Sequence, residues 1–283
     1  MRRRSRAAAG LALLWAGLMA GPAPGQEQGA FGKVIRIDQS AFQPDAGMIT
    51  FDEFESGTTD PEFLPERYGG PPGGVSVLFG GYFQGQRIAS AATCPAGAAP
   101  TGCLEGRPDS PLVLDQRAPE TFVAEDTSNP RSPSLSGSPQ FNGPVSMLFS
   151  ADVAGVGLAG GFFNSFESTA IQAFDRSGRL IGGVLNLEKG MEYMALVTED
   201  GVNRIAGLQF SLVGAEGAGF GIDDVTVARI EQMDTSQIPG LRGAAEAAPA
   251  NTEPTRRSLR ELTPGPSAKP PSAPGPSLRD LGG

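Results

Sequence analysis

Residues 169–185 read TAIQAFDRSGRLIGGVL. Two short apolar runs, Thr169–Phe174 and Leu180–Leu185, flank the polar segment DRSGR at 175–179. Short apolar runs bounded by turn-forming residues are typical of β-strands, and glycine readily takes the left-handed backbone conformation that a tight turn needs. The stretch therefore predicts a β-hairpin with Gly178 in its turn.

The same pattern recurs along residues 30–232, between clusters of Gly, Pro, Asn and Asp. Further strands are predicted at 34–37, 48–51, 75–79, 145–149, 153–163, 193–198, 205–212 and 220–227. No window shows sustained helical periodicity. A single open sheet of about ten strands would leave one apolar face in water, so the pattern predicts an all-β fold, a two-sheet antiparallel β-sandwich.

Between residues 89 and 144 the apolar pattern thins, and Pro, Ser and Gly accumulate. This segment is either a long loop region or contains two short edge strands, at 112–114 and 121–124. Long loops on a rigid sandwich often carry binding sites. We therefore expect a binding surface here.

The first 25 residues predict a cleavable signal peptide. Four arginines within residues 2–6 precede an apolar stretch at 7–20, and the helix-breaking GPAPG follows at 21–25. The apolar run of roughly 14 residues is shorter than the roughly 20 that a membrane-spanning helix needs. An uncleaved anchor is the alternative. We expect a secreted or periplasmic protein with no integral membrane segment after cleavage.

The C-terminal residues 233–283 contain few large apolar side chains and predict a disordered tail. Within them SLREL at 258–262 is nearly repeated as SLRDL at 277–281. Two linked copies could bind a protein partner with avidity, whereas compositional drift explains them without a function. The predicted organisation is a signal peptide at 1–25, a β-sandwich domain at 30–232 and a disordered tail at 233–283.

The chain is acidic. Its 22 basic and 31 acidic residues give a net charge of −9, and cleavage of the signal peptide, which removes four arginines and no acid, takes it to −13. Such a surface repels nucleic acid and anionic lipid. We expect no nucleic-acid partner.

The sequence contains no histidine. Hydrolases that depend on a histidine base and histidine-ligated zinc sites are therefore excluded. We assign no catalytic residue and expect a protein that is not an enzyme. The alternative is a carboxylate-dependent glycoside hydrolase or lyase, which needs only a pair of acids.

The two cysteines, Cys94 and Cys103, lie nine residues apart in a segment rich in Gly, Pro and Ala. In an oxidising compartment this spacing predicts a disulfide that pins the loop. A two-thiolate metal site is the alternative, and it would lack the histidine ligands that usually complete such a site.

Two acidic clusters occur near the ends of the predicted sandwich. Asp52, Glu53 and Glu55 follow the early strand at 48–51, and Asp223 and Asp224 interrupt the last strand. Adjacent carboxylates repel unless a cation neutralises them, and clusters that offer only oxygen ligands suit calcium. We expect a structural calcium ion between the first and last strands, or else that Asp223 and Asp224 simply end a strand in solvent.

Along the last predicted strand, the apolar residues also move from one face of the strand to the other. Phe220 and Ile222 fall on one face by parity, whereas Val225 and Val227 fall on the other. A β-bulge shifts the alternation by one residue in this way. The sequence therefore predicts a bulge at Asp223-Asp224.

The segments FESG at 54–57 and FGIDDV at 220–225 resemble the opening and closing signatures of galactose-binding-like carbohydrate-binding modules. Residues 156–163 and 173–178 are similar to secreted β-sandwich domains of bacterial PEP-CTERM proteins. The resemblance implies a jelly roll with a structural calcium whose ligands map onto Glu55 and Asp223 or Asp224. The sorting tail of the PEP-CTERM group is absent, which implies release from the cell.

Three functions are compatible with these features. The first is a non-catalytic binding module for a polysaccharide or another cell-surface ligand, with Tyr68 and Tyr82 as candidate ligand-binding aromatics or as packing residues. The second is the carboxylate-dependent enzyme. The third is an envelope-associated interaction protein that uses its tail as the contact arm.

Overall fold

The computed structural model describes residues 29–125, 133–139, 141–217 and 220–241, all within one compact unit, Met1–Glu246. They form fifteen strands: Ala30–Gly32 (β1), Val34–Arg36 (β2), Glu62–Phe63 (β3), Val77–Gly80 (β4), Gln86–Ile88 (β5), Leu104–Gly106 (β6), Thr121–Ala124 (β7), Ser134–Gly137 (β8), Val145–Val153 (β9), Gly155–Phe163 (β10), Thr169–Phe174 (β11), Leu180–Leu185 (β12), Gly190–Thr198 (β13), Ile205–Leu212 (β14) and Gly221–Ala228 (β15).

The helices in the described ranges are six single turns of 3₁₀ helix: Gln39–Ala41, Pro44–Ala46, Pro65–Arg67, Pro100–Gly102, Ile230–Gln232 and Thr235–Gln237. None of them is long and apolar enough to cross a bilayer. The signal peptide expected at 1–25 and the motifs at 258–262 and 277–281 lie outside the described residues.

Two antiparallel sheets enclose the main core, which confirms the predicted sandwich. The seven-stranded sheet has the order β1-β12-β11-β14-β9-β4-β3, and the six-stranded sheet has the order β2-β13-β10-β15-β8-β7. The remaining strands, β5 and β6, pair as a separate hairpin.

Strands β8 to β15 form one long nested hairpin. Strand β8 pairs with β15, β9 with β14, β10 with β13, and β11 with β12 at the centre. The nest is wound so that β10 also pairs with β15, and β11 with β14. This is the jelly-roll arrangement, and residues 169–185 form its innermost turn with the strand bounds that the sequence predicts.

Side chains that alternate along the strands fill the space between the sheets. Phe51, which is fully buried, belongs to an aromatic cluster, with its ring centroid 5.5 Å from that of Phe63 and 5.4 Å from that of Phe79 in edge-to-face contact. Such pairs stabilise a core beyond the area they bury. Because Phe63 lies on β3 and Phe79 on β4, this cluster packs the segment around Phe51 against the edge of the seven-stranded sheet, where β4 pairs with β9.

The predicted strand at 48–51 is reduced to a single bridge between Ile49 and Val225. Phe51 has a φ of 59°, and this left-handed conformation turns the chain out of the extended path. Of the two candidate edge strands, 121–124 forms β7, whereas 112–114 contributes one bridge, from Leu114 to Phe83.

The predicted bulge in the last strand is confirmed. Gly157 is opposite Thr226 and Ala159 is opposite Asp223, so three residue steps on β15 face two on β10. Asp224 has a φ of 49°. Because of the extra residue, the apolar side chains on both sides of the bulge point into the same core. These residues are Phe220, Ile222, Val225 and Val227.

The packed fold continues past residue 232, where the disordered tail was expected to begin. Met233, Ile238 and Leu241 are buried against the outer face of the six-stranded sheet, together with Ile35 and Val197. These three side chains are large and apolar, so the segment that carries them buries enough surface to stay ordered. The boundary expected at 232 is therefore wrong by at least nine residues, since Leu241 is still packed.

We expect Phe51→Ala to lower the free energy of unfolding by about 3–5 kcal/mol, because it opens a cavity within the buried aromatic cluster. Chemical denaturation followed by intrinsic fluorescence measures this change. Phe166→Ala is the matched control, since the Phe166 side chain is 59% exposed, and it should change the stability by less than about 0.5 kcal/mol. Equal losses in the two variants would contradict the central role of Phe51.

Candidate functional site

A cleft of about 630 Å³ opens on the outer face of the seven-stranded sheet. Small-molecule sites have volumes in this range. Its lining consists of Gln86, Leu104, Gly106, Arg107, Pro108, Gln172, Phe174, Ser177, Gly178, Arg179, Leu180, Gln209, Ser211, Leu212 and Val213. Strands β11, β12 and β14 form its floor, the β5–β6 hairpin and the two residues after it form its roof, and the β11–β12 turn closes one end.

Strand alternation explains the polar floor. Ile171 and Leu208 point into the core, so their neighbours Gln172 and Gln209 point outward. These two glutamines are direct partners in the β11–β14 ladder. Two amides therefore lie side by side in the floor, of which Gln209 is buried and Gln172 is half-buried.

A side-chain network joins the roof to the floor. Gln86 and Gln209 exchange two amide hydrogen bonds, of 3.0 and 2.9 Å. Gln209 Nε2 also donates to Ser146 Oγ at 2.9 Å, and that hydroxyl donates to the carbonyl of Gly81 at 3.0 Å. A network whose members are satisfied in this way fixes a single geometry. Gln172, which is half-buried, makes no side-chain hydrogen bond to another described residue.

The turn at the end of the cleft is fixed by the Asp175 carboxylate. Its Oδ1 accepts from the Ser177 amide at 2.9 Å and from the Arg179 amide at 3.0 Å, and its Oδ2 accepts from Arg179 Nε at 2.8 Å. Burial alone would raise the pKa of Asp175, but hydrogen bonds from Ser177 and Arg179 outweigh it and lower the pKa. The turn therefore keeps a charged carboxylate that orients Arg179.

Gly178 occupies the left-handed position predicted for it, with a φ of 78°. A Cβ at this position would lie 2.5 Å from the carbonyl oxygen of Asp109 and 2.8 Å from that of Pro108. The roof segment therefore contacts the turn backbone directly, and glycine is required for the contact as well as for the turn.

The predicted disulfide joins Cys94 and Cys103, whose Cα atoms are 5.7 Å apart. Cys103 directly precedes β6 and forms a bridge with Leu212 at the end of β14. The amide of Ala89, just after β5, donates to the Cys103 carbonyl at 2.9 Å. The disulfide loop thus anchors the loop end of the β5–β6 hairpin to the floor of the cleft.

The acidic residues proposed for calcium lie outside the cleft lining. Burial raises the pKa of Asp224, and the charge of Asp52 raises it further. The Ile49–Val225 bridge explains this proximity, because it holds residues 50–52 beside the bulge. Asp52 Oδ2 accepts a hydrogen bond from Thr50 Oγ1 at 2.9 Å. The structure therefore brings together one residue from each predicted cluster.

The other three acids of the predicted site differ in their exposure. Glu53 and Glu55 are exposed, whereas Asp223 is buried and accepts a hydrogen bond from the Asp224 amide at 2.8 Å. Across the described ranges no group of three or more Asp, Glu, His or Cys side chains is placed to hold a metal. Calcium takes six to eight oxygens, so Asp52 and Asp224 would need carbonyls or water to supply most of them.

The two tyrosines selected from the sequence do not line the cleft. Tyr68 is 7% exposed, and its hydroxyl donates to the Val75 carbonyl. Tyr68 also lines a separate hollow of about 360 Å³ beside Met48. Tyr82 is half-buried next to the roof segment, where its carbonyl accepts from the Asp115 amide. Because little of the Tyr68 ring is exposed, it has a packing role rather than that of a stacking surface.

Sequence reasoning missed the glutamines and arginines of the cleft. One signal was available, because Gln172 and Gln209 interrupt apolar runs at outward positions of two predicted strands. The roof residues Gln86 and Arg107 carried no local signal, since their position over the floor depends on pairing with distant strands.

No protein-family model matches the chain, and no curated protein matches it. Among solved structures, the chain is similar to the enzymatically active domain of bacteriophage CBA120 tailspike protein 4, with 14% identity and a TM-score of 0.24. The similarity covers 66% of this chain and 21% of that one, so the chain spans about a fifth of that structure.

Removing the disulfide by Cys94→Ser with Cys103→Ser should lower the free energy of unfolding by about 2–3 kcal/mol, as expected for a short closed loop. The roof should loosen before the sandwich does. Hydrogen exchange of the Ala89 amide should therefore speed up, while that of amides in β14 stays slow. Unchanged protection at Ala89 would show that the disulfide does not hold the roof.

Asp224→Asn should stabilise the metal-free protein at pH 7. The raised pKa of Asp224 means that its ionised form disfavours folding, so wild-type stability falls as pH rises through the usual carboxyl range. Asn removes that charge and tolerates the left-handed backbone. In chelator we expect a Tm about 1–2 °C above wild type at pH 7 and no difference at pH 3.

The matched control for this comparison is Asp38→Asn, since Asp38 is exposed and makes no capping hydrogen bond. It should leave Tm unchanged at both pH values. A gain for Asp224→Asn that is the same at pH 3 and pH 7 would contradict the electrostatic explanation.

Proposed function

We propose that this protein is an exported, non-catalytic binding module that takes a glycan into the cleft between the β5–β6 hairpin and the seven-stranded sheet. The observation that carries this proposal is the composition of the lining, in which amides, hydroxyls and guanidinium groups alternate with apolar side chains. Few, well-placed polar groups in a mostly preformed cavity are typical of small-molecule sites.

The polar groups suit a ligand rich in hydroxyls. A sugar hydroxyl both donates and accepts, and a glutamine amide offers both functions on one planar group. Gln172 is the floor amide that is not committed to a described neighbour. Leu104 on the roof and Leu180 on the floor supply apolar surface for the C–H faces of a ring.

The carboxylate-dependent enzyme has less support. A glycoside hydrolase of the usual kind places two acids on either side of the scissile bond, about 5–10 Å apart. The lining of the cleft, as far as the described residues define it, carries neither Asp nor Glu. A binding role therefore fits these residues better than hydrolysis.

Export is supported by the cystine. Structural disulfides persist in oxidising compartments, and the Cys94–Cys103 bond anchors the roof of the proposed site. The signal peptide and the proposal of a partner for the tail concern residues outside the described ranges, so both stay predictions.

Calcium remains a second element of the proposal, as a structural ion at Asp52 and Asp224. Millimolar calcium should raise the Tm of the wild-type protein relative to chelator, and Asp224→Asn should abolish that rise. A wild-type Tm that is the same in calcium and in chelator would remove the ion from the proposal.

The binding function is tested on a glycan array with the full-length mature protein. We expect a hit, and Gln172→Ala should reduce the affinity for it by about tenfold, the effect of one hydrogen bond to a ligand left unmade. Gln237→Ala is the control, because Gln237 is exposed and lies outside the cleft lining, and it should bind like wild type. A blank array would overturn the proposed function.

A further inference from the structure

We infer that the cleft selects an acidic saccharide, in which a sugar carboxylate pairs with Arg107. This inference rests on the proposed glycan-binding function and names the class of ligand. The only ionisable side chains in the described lining are Arg107 and Arg179. The chain as a whole has a net charge of −9, so a cleft that carries only cations is a local reversal of the surface charge.

Arg107 keeps its guanidinium free. It is exposed and makes no side-chain hydrogen bond or ion pair with another described residue. Its backbone lies between the Gln86–Gly106 pair and the hydrogen bond of 2.7 Å from the Asp109 amide to the Gln84 carbonyl, and the following Pro108 favours an extended conformation. The side chain therefore leaves a fixed point on the roof with all its donors available.

Arg179 differs, because its charge is already matched. Its Nη2 lies 2.8 Å from Asp175 Oδ2, and its side chain is 83% exposed. The other nearby carboxylate, Asp109, lies close to Gly85 on the loop after Arg107 and is not part of the lining. Arg107 is thus the unmatched charge of the cleft, and Arg179 supplies donors with little net charge.

A guanidinium fork matches a carboxylate with two parallel charge-assisted hydrogen bonds, which are stronger than bonds to a neutral hydroxyl. A neutral sugar would use Arg107 only as a weak donor. A uronic acid presents a carboxylate for Arg107 and ring hydroxyls for Gln172. The combination of one free guanidinium and one free amide therefore fits a hexuronate residue.

The negative net charge of the protein excludes nonspecific attraction as a cause of binding to an acidic saccharide. Nonspecific attraction cannot recruit a polyanion to a surface that repels it. Binding of an acidic oligosaccharide must therefore come from local contacts, and it should depend on a single arginine.

The experiment uses the full-length mature protein and isothermal titration calorimetry. The probes are tetramers of α-1,4-galacturonate and β-1,4-mannuronate, each compared with its methyl ester, which keeps the hydroxyls and removes the charge. We expect at least one free acid to bind about tenfold tighter than its ester, as one charge-assisted pair provides. Arg107→Gln should reduce this preference to less than about threefold and leave the affinity for the ester unchanged.

Arg87→Gln is the matched control. Arg87 lies on the same hairpin, is 74% exposed, pairs with Glu105 at 2.7 Å and does not line the cleft. This variant should keep the full preference for the acid. Unchanged Tm values for both variants would confirm that each is folded.

Three results would overturn the inference. The first is equal affinity for acid and ester, and the second is a preference that survives Arg107→Gln. The third is an acidic peptide, tested as tetraglutamate, that binds as tightly as the uronates, which would assign the cleft to a peptide. If the array shows neutral glycans bound while both acids fail, the acidic assignment falls and the binding function stands.

Discussion

One carboxylate holds the turn at the centre of the nested hairpin. Asp175 accepts hydrogen bonds from Ser177 and Arg179, and Gly178 takes the left-handed conformation between them. This turn closes the β11–β12 hairpin, the innermost of the nested pairs, and every further pair is added outside it. This local interaction closes the innermost hairpin with little loop-closure cost, and contacts that are distant in sequence are added outside it. The same turn orients Arg179 and closes one end of the cleft.

Much of the sandwich could be predicted from the sequence, because its strands alternate cleanly. The bounds of β11, β12 and β14 agree with the apolar runs, and the change of parity at Asp223-Asp224 located the bulge. The apolar pattern predicted a strand wrongly at 48–51, where the backbone leaves the extended conformation. Phe51 is apolar and fully buried, yet its left-handed φ ends the early strand. An apolar residue in the sequence predicts a buried side chain, but a buried side chain does not require an extended backbone.

The candidate site was far less predictable. The types and spacing of five acids predict calcium, and the structure brings Asp52 of the first cluster to Asp224 of the second through a bridge between residues far apart in the chain. The cleft joins residues from β5, β6, β11, β12 and β14. Its floor follows from strand parity, but its roof follows from hydrogen bonds such as that between Gln86 and Gln209. Pairing across such distances in sequence is set by the completed fold and leaves no local pattern.

The roof has a further consequence for how this molecule can change. The segment from β5 to β6 leaves the sandwich after β4 and returns before β7, and neither β5 nor β6 pairs with the two large sheets. Its cystine cross-links the loop between β5 and β6, Ala89 and Cys103 are buried in the main core, and Gln86 pairs with Gln209 on the sheet. The solvent-facing side chains of the roof, such as Arg107, take no part in the pairing of the two large sheets. Substitutions at these positions can therefore alter what the cleft recognises without disturbing the strand order of the sandwich.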